Sequence, residues 1–178
     1  GTGLQARMQV ELLTYLTNCK TIYVWGRCDN KLNLYKNDMT KNGFDVCITN
    51  DVSIIGQACN LIITTTASES AILKASHIKP GTHITAVGAD SPNKLELEPE
   101  IISKSDIITV DSKSQCIDHG EISHAYEQGL ITKDRLIELG EIINNPSLRR
   151  SNPQQITIAD LTGLAVQDIQ IVKSIINF

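Results

Sequence analysis

The sequence is short of the features that mark several protein classes. It has no excess of basic residues. Its net charge is −4 and its pI about 5.5, so it lacks the basic patch or stripe of a phosphate-backbone binder and is not expected to bind nucleic acid. No apolar run approaches the ~18 residues of a transmembrane helix, which argues against a membrane partner. Its five cysteines are odd in number and none are spaced C-x-x-C. A disulfide framework or zinc knuckle is therefore not expected. They read instead as small, mostly buried apolar residues of a reducing cytoplasm. No Ser or Cys sits in a G-x-S-x-G or comparable nucleophile motif. His119 and His124 do not share a helical face as an i, i+4 ligand pair would, so no metal is expected, and Asp118 and Glu121 beside them read as surface charges. No internal repeat and no low-complexity tract is present.

What the sequence does contain is a normal hydrophobic share, 41% over 178 residues. A chain of that size buries roughly two-thirds of its unfolded surface, enough for one globular domain with a small appendage. Strand-like and helix-like segments alternate. Leu4, Met8, Leu12, Leu16 and Cys19 recur at helical spacing. Thr21–Trp25 is a β-branched and aromatic strand. A polar helix over Asp29–Lys41 ends at Asn42-Gly43. Strands follow at Phe44–Ile48, Leu61–Thr64, Thr82–Val87 and Asp106–Val110, with a last extended piece at Ile156–Ile158. Helices are expected at Asp51–Cys59, Glu69–His77, Pro99–Lys104, Ile117–Gln128 and Ile137–Ile143, and from Thr162-Gly163 to about Ile176. This order predicts an α/β fold: a Rossmann-type, doubly wound parallel sheet with helices on both faces. The loop Asn144–Pro153 predicts a boundary, with a nucleotide-binding domain over 1–153 and a strand–helix segment over 154–178.

Four stretches could carry chemistry. Gly1-x-Gly3-x-x-Ala6 opening a helix has the spacing of a dinucleotide-binding turn. One glycine permits the tight turn, the next lets backbone approach a pyrophosphate, and a small third residue lets the helix pack. The helix N-terminus then offers free N–H groups and a positive dipole end. After the next strand come Gly26 and Arg27, where an NAD site usually has an acidic residue. An Arg there suits the 2′-phosphate of NADP, whose oxygens match its planar fork, and Lys31 adds charge. This favours NADP slightly over NAD. Farther on, Thr85–Leu97 reads as a strand ending in a small-residue turn that delivers Asp90 and Lys94. In an open parallel sheet, ligands bind beyond the carboxyl ends of the strands. Asp90 is placed there for acid/base work, or else is simply a turn former ahead of Ser91-Pro92. A fourth stretch, Asp160–Asp168, offers Thr162 or Asp160 as a helix cap and Gly163 for close backbone approach.

Taken together, Gly1–Arg7, Val24–Arg27, Thr64–Thr66, Pro80–His83, Val87–Leu97 and Asp160–Ile169 resemble the ornithine cyclodeaminase/mu-crystallin family, in family order. The resemblance implies a dimeric two-domain enzyme with an NAD(P) cofactor and a small amino- or imino-acid substrate. It implies conversion of L-ornithine to L-proline and ammonia by oxidation at the α-carbon, cyclisation and re-reduction. Asp90 falls at the general acid/base position of that family, where it also meets the substrate. Gly1, Gly3, Leu4, Gln5, Ala6, Gly26, Arg27, Thr64, Val87, Lys94 and Thr162 fall on the cofactor, and Gly163 reaches the substrate. The family is broad, so an imine (ketimine) reductase or amino-acid dehydrogenase is the alternative. A mu-crystallin-like NADPH- or ligand-binding protein is a third reading.

The same resemblance places the first Rossmann strand ahead of Gly1. The expectation is that this chain is part of a protein nearly twice as long, a homodimer when complete. The absent strand would lie mid-sheet, between the strand at Thr21–Trp25 and that at Leu61–Thr64. Its two neighbours would lack a ladder partner, so the chain alone should bind cofactor poorly and catalyse nothing.

Overall fold

The computed structural model describes residues 1–176. Helix α1 (Leu4–Leu13) leads to β1 (Thr21–Trp25), α2 (Asp29–Lys41), β2 (Asp45–Thr49), α3 (Val52–Ala58) and β3 (Leu61–Thr64). The chain continues through β4 (Glu69–Leu73), β5 (His83–Ala86), β6 (Leu95–Leu97), α4 (Pro99–Lys104) and β7 (Ile107–Val110). It ends with α5 (Lys113–Asp118), α6 (Gly120–Glu127), β8 (Leu136–Glu138), α7 (Leu139–Asn144), β9 (Thr157–Asp160) and α8 (Ala165–Ile176). The central sheet runs β3-β5-β9-β7-β8 and every pairing in it is parallel. β1 and β2 form a separate parallel pair, as do β4 and β6. The α/β architecture with a helix-flanked parallel sheet is thus the one expected.

Parallel strands covered on both faces must be apolar almost throughout. Ile108 and Val110 on β7, Ile84 and Ala86 on β5 and Ile158 on β9 are buried, and Ile101, Ile102 and Ile122 close over them from α4 and α6. Each such side chain contributes about 1.5–3 kcal/mol by leaving water. A second cluster joins Leu32, Tyr35 and Met39 of α2 to Val24, Phe44 and Val46, with Ala6 of α1 against it.

Four elements differ from expectation. Glu69–His77 was expected as a helix. Instead β4 pairs in parallel with β6, which was not expected at all, and a single 3-10 turn follows at Ala75–His77. The pairing buries Leu73 to 2% exposure, a tertiary gain that overrides a weak local helix preference. Ile117–Gln128 is divided at His119-Gly120, where Gly120 adopts φ +81 and the Asp160 carboxylate accepts the N–H of Ile122 at 3.0 Å. Ile137 belongs to β8 rather than to a helix, because Leu136–Glu138 extend the sheet edge beside β7. The extended piece expected at Ile156–Ile158 is β9, which sits between β5 and β7 as the central strand. By contrast α8 has no buried residue and exposes Val166, Ile169, Ile171, Val172, Ile175 and Ile176.

Between β1 and β3 lies a slot of about 450 Å³, lined by Ile22, Val24, Leu61 and Ile63 and roofed by Ala6, Val10 and Leu13 of α1. Among the described residues, β1 pairs only with β2, and β3 only with β5. The slot therefore lies between two strand edges.

Candidate functional site

Several of the expected residues follow the carboxyl ends of β1, β3, β5 and β9. The backbone nitrogen of Gly1 donates to the carbonyl of Trp25, the last residue of β1, at 3.2 Å. A Cβ at Gly1 would stand 2.7 Å from Oγ1 of Thr65, just past β3. The turn opening α1 thus packs against the carboxyl ends of β1 and β3 together. Gly26 follows β1, and a Cβ there would press on Leu32 and Thr2 at 3.2 Å. Val87 follows β5 and donates its N–H to the carbonyl of Thr64 at 3.0 Å. Leu161 follows β9 and donates to the carbonyl of Ala86 at 2.9 Å, which brings Thr162 and Gly163 to the same edge.

The residues at the start of α1 fit a nucleotide's pyrophosphate. Gly3 is the N-cap, in an extended conformation, and no side chain caps the helix. The first turn holds no acidic residue, so the orphan N–H groups and the positive dipole end are unopposed. Nothing in the chain explains why residue 3 is glycine. Its φ of −78 suits any residue, and a Cβ there would meet nothing within 4 Å. Leu4 and Gln5 are exposed beside it, and Ala6 is buried with its carbonyl accepting from the Tyr35 hydroxyl at 3.3 Å. Arg7 is engaged by Asp38 at 2.9 Å and lies over the Tyr35 ring. Nearby, Thr64 and Thr65 keep their hydroxyls buried and without a hydrogen-bond partner among the described residues. Orphaned buried hydroxyls are uncommon and mark places where a ligand or water completes the bonding.

Arg27 is exposed at the end of β1. Asn50, which the sequence reading did not single out, closes that corner: its amide donates to the Gly26 carbonyl and to Asp29, each at 3.0 Å. Asp90 lies on the turn between β5 and β6, with its side chain 57% exposed and in an ion pair with Lys94 at 2.5 Å. The turn is secured by the Lys94 N–H on the Ser91 carbonyl, the Leu95 N–H on the Ser68 carbonyl and the His124 ring on the Lys94 carbonyl. Thr162 is held rather than free. Its hydroxyl donates to Asp111 at 3.1 Å and accepts from Gln115 at 2.8 Å, while the Gly163 N–H reaches Asp111 at 2.7 Å.

Beneath this edge lie buried carboxylates that the sequence did not announce. Glu121, expected as a surface charge, is 1% exposed, and Glu96 is fully buried. The correction has a plain cause: the break at Gly120 turns the start of α6 inward, so Glu121 accepts the N–H groups of Glu96 and Leu97 on β6 at 2.8 and 2.9 Å. Burial outweighs those bonds and pushes the Glu121 carboxyl up to about 8. Burial likewise pushes Asp160 up to about 7 and the Cys116 thiol up to about 12. The available signal for Glu96 was its position between Leu95 and Leu97, an acid within an apolar strand.

A parallel α/β sheet with a glycine turn, a bare helix N-terminus and an acid at its carboxyl edge defines a dinucleotide-binding class of domain. The chain matches the ornithine cyclodeaminase/mu-crystallin family over residues 1–177 and belongs to it. It is 36% identical over 173 residues to an uncharacterized cyclodeaminase of Sinorhizobium fredii, covering 96% of this chain and 52% of that protein. Among solved structures it resembles an archaeal alanine dehydrogenase dimer with bound NAD (TM-score 0.87, 32% identity, 97% of this chain and 53% of that one). It also resembles Thermococcus litoralis Delta(1)-pyrroline-2-carboxylate reductase in complex with NADH and L-proline (TM-score 0.91, 26% identity, 97% and 54%). The chain spans about half the length of the curated relatives it matches.

Proposed function

We propose that this chain is the nucleotide-binding part of a nicotinamide-dependent enzyme acting on the C–N bond of a small amino or imino acid, and that the enzyme is a cyclodeaminase converting L-ornithine to L-proline and ammonia. The observation that supports the reading is an uncapped helix N-terminus whose glycine turn packs against the loop after β3. A bound nicotinamide would supply reversible hydride acceptance. The remaining tasks fall to this chain. The free N–H groups of Leu4, Gln5 and Ala6 hold the pyrophosphate, with Gly1 and Gly3 allowing its approach. Gly26 and Arg27 border the adenosine ribose, and Arg27 would take a 2′-phosphate, which puts NADP slightly ahead of NAD. Thr64, Val87, Lys94 and Thr162 border the nicotinamide half. Asp90 holds the substrate ammonium and relays its proton, and Gly163 lets the substrate approach. The exposed apolar face of α8 supports packing against a further domain of a cytoplasmic homodimer.

The second reading, an amino-acid dehydrogenase or imine reductase, is favoured by the likeness to the alanine dehydrogenase and to the pyrroline-carboxylate reductase. One assay separates them. The full-length protein, given L-ornithine and catalytic NAD(P)⁺, should yield proline and ammonia in equal amounts with no net reduced cofactor. Cofactor consumed one-for-one with product would reject the cyclodeaminase reading. Unchanged turnover in Asp90→Asn would remove Asp90 from the chemistry.

A further inference from the structure

Glu96 has no part in the site described so far, yet its placement is unusual. Its carboxylate lies between two loops of the candidate site. Oε1 accepts the N–H of Thr66, past β3, at 2.6 Å. Oε2 is buried with no hydrogen-bond partner among the described residues. It stands over Gly88, where an added Cβ would come within 2.1 Å of it and 2.4 Å of the Thr66 carbonyl. The strand carrying it is itself pinned by Glu121, which takes the backbone N–H groups of both Glu96 and Leu97.

Two buried carboxylates in series are a costly way to fill space, since an apolar side chain of similar volume serves packing as well or better. Their bonds serve geometry instead. Thr66 directly extends the Thr64–Thr65 stretch, and Gly88 begins the turn that presents Asp90. We propose that Glu96 is a positioning residue: held by Glu121, it locks the loop after β3 to the turn after β5 and so sets where Asp90 stands. What Asp90 does rests on the function proposed above; the lock itself does not. Glycine at 88 is part of the device, because any side chain there would displace the Glu96 carboxylate.

The test uses the full-length protein and a double-mutant cycle. Glu96→Gln keeps an acceptor for Thr66 and should hold kcat within about threefold. Glu96→Leu removes the acceptor and should lower kcat at least tenfold, with KM for the amino acid changed far less. In an Asp90→Asn background the same Glu96→Leu change should cost less than about threefold, because the group it positions is already gone. Where Asp90→Asn itself lowers kcat, equal losses in both backgrounds, or no loss in the first, would overturn the proposal. If Glu96→Leu does not fold, Glu96→Asp replaces it: a side chain one methylene shorter falls short of Thr66 and should show the same loss. Amide exchange separates this proposal from that for Asp90. Exchange at the Thr66 N–H should quicken at least tenfold in Glu96→Leu over Glu96→Gln. That result beside a fully active Asp90→Asn would sink the role of Asp90 and keep the lock; unchanged exchange would sink the lock.

Discussion

Gly3→Ser sets stability against binding at one atom. Residue 3 is the N-cap of α1, its backbone is extended (φ −78, ψ −171), and a side chain there meets open space. Serine therefore enters without strain. Its hydroxyl can accept the N–H of Gln5 or Ala6, the usual N-cap bond, which stabilises a helix by a few tenths of a kcal/mol over glycine. For a domain of this size that is about 1 °C upward in Tm. Those same N–H groups are the ones offered to a pyrophosphate. Losing one charge-assisted bond costs about 1.5–3 kcal/mol, or roughly ten- to hundredfold in Kd. Thermal unfolding and a fluorescence titration with NAD(P)H, both on the full-length protein, measure the two effects together. Unchanged affinity beside a raised Tm would refute the assignment of this helix end to the phosphates. A Tm lowered by several degrees would refute the open geometry at residue 3.

Gly56→Ala in α3 should destabilise despite the helix preference of alanine, because the new Cβ falls 2.2 Å from the His77 carbonyl oxygen. Overpacking of about 3 kcal/mol exceeds a propensity gain of about 1 kcal/mol. Gly140→Ala in α7, with nothing within 4 Å, should stabilise, and urea midpoints moving the same way in both variants would contradict this. Stability should fall as pH rises. Glu121 and Asp160, raised to about 8 and about 7, keep protons in the folded chain that the unfolded chain releases above roughly pH 4–4.5. Each group then removes about 1.4 kcal/mol per pH unit between its unfolded and folded values. Urea midpoints at pH 5.5 and 7.5 check it, and the decline should be shallower in Glu121→Gln. An extended segment of alternating β-branched residues joined ahead of Gly1 should enter the slot between β1 and β3 and raise Tm, each large buried side chain contributing about 1.5–3 kcal/mol. The same segment with proline at alternate positions cannot donate to the ladder, and an equal rise from it would count against strand addition.

Much of the fold was legible because its signals are local. Thr21–Trp25, Leu61–Thr64 and Asp29–Lys41 each declare their element through composition or through a stop at Asn42-Gly43. Alternation of such segments implies a parallel sheet, and parallel strands place their loops at one edge. Topology and motif spacing therefore point Gly1, Gly3, Gly26 and Asp90 to that edge, whereas Thr64 and Thr162 are legible only through the family resemblance. The sequence by itself also determined the bare start of α1, since no acidic or capping residue stands there.

What tertiary structure decided are the places where a residue's partner is far along the chain. Glu69–Leu73 became β4 only because Leu95–Leu97 lies beside it. Thr157–Asp160 became the central strand rather than an appendage because β5 and β7 each needed a neighbour. Glu121 looks like an ordinary surface acid in a linear reading, and Glu96 shows only an acid between two leucines. Their burial follows from a helix broken at Gly120, and from backbone N–H groups on β6 that only the folded chain sets within reach. Local preference is worth tenths of a kcal/mol per residue, whereas burial and ladder pairing are worth whole ones, so where the two conflict the distant partner prevails.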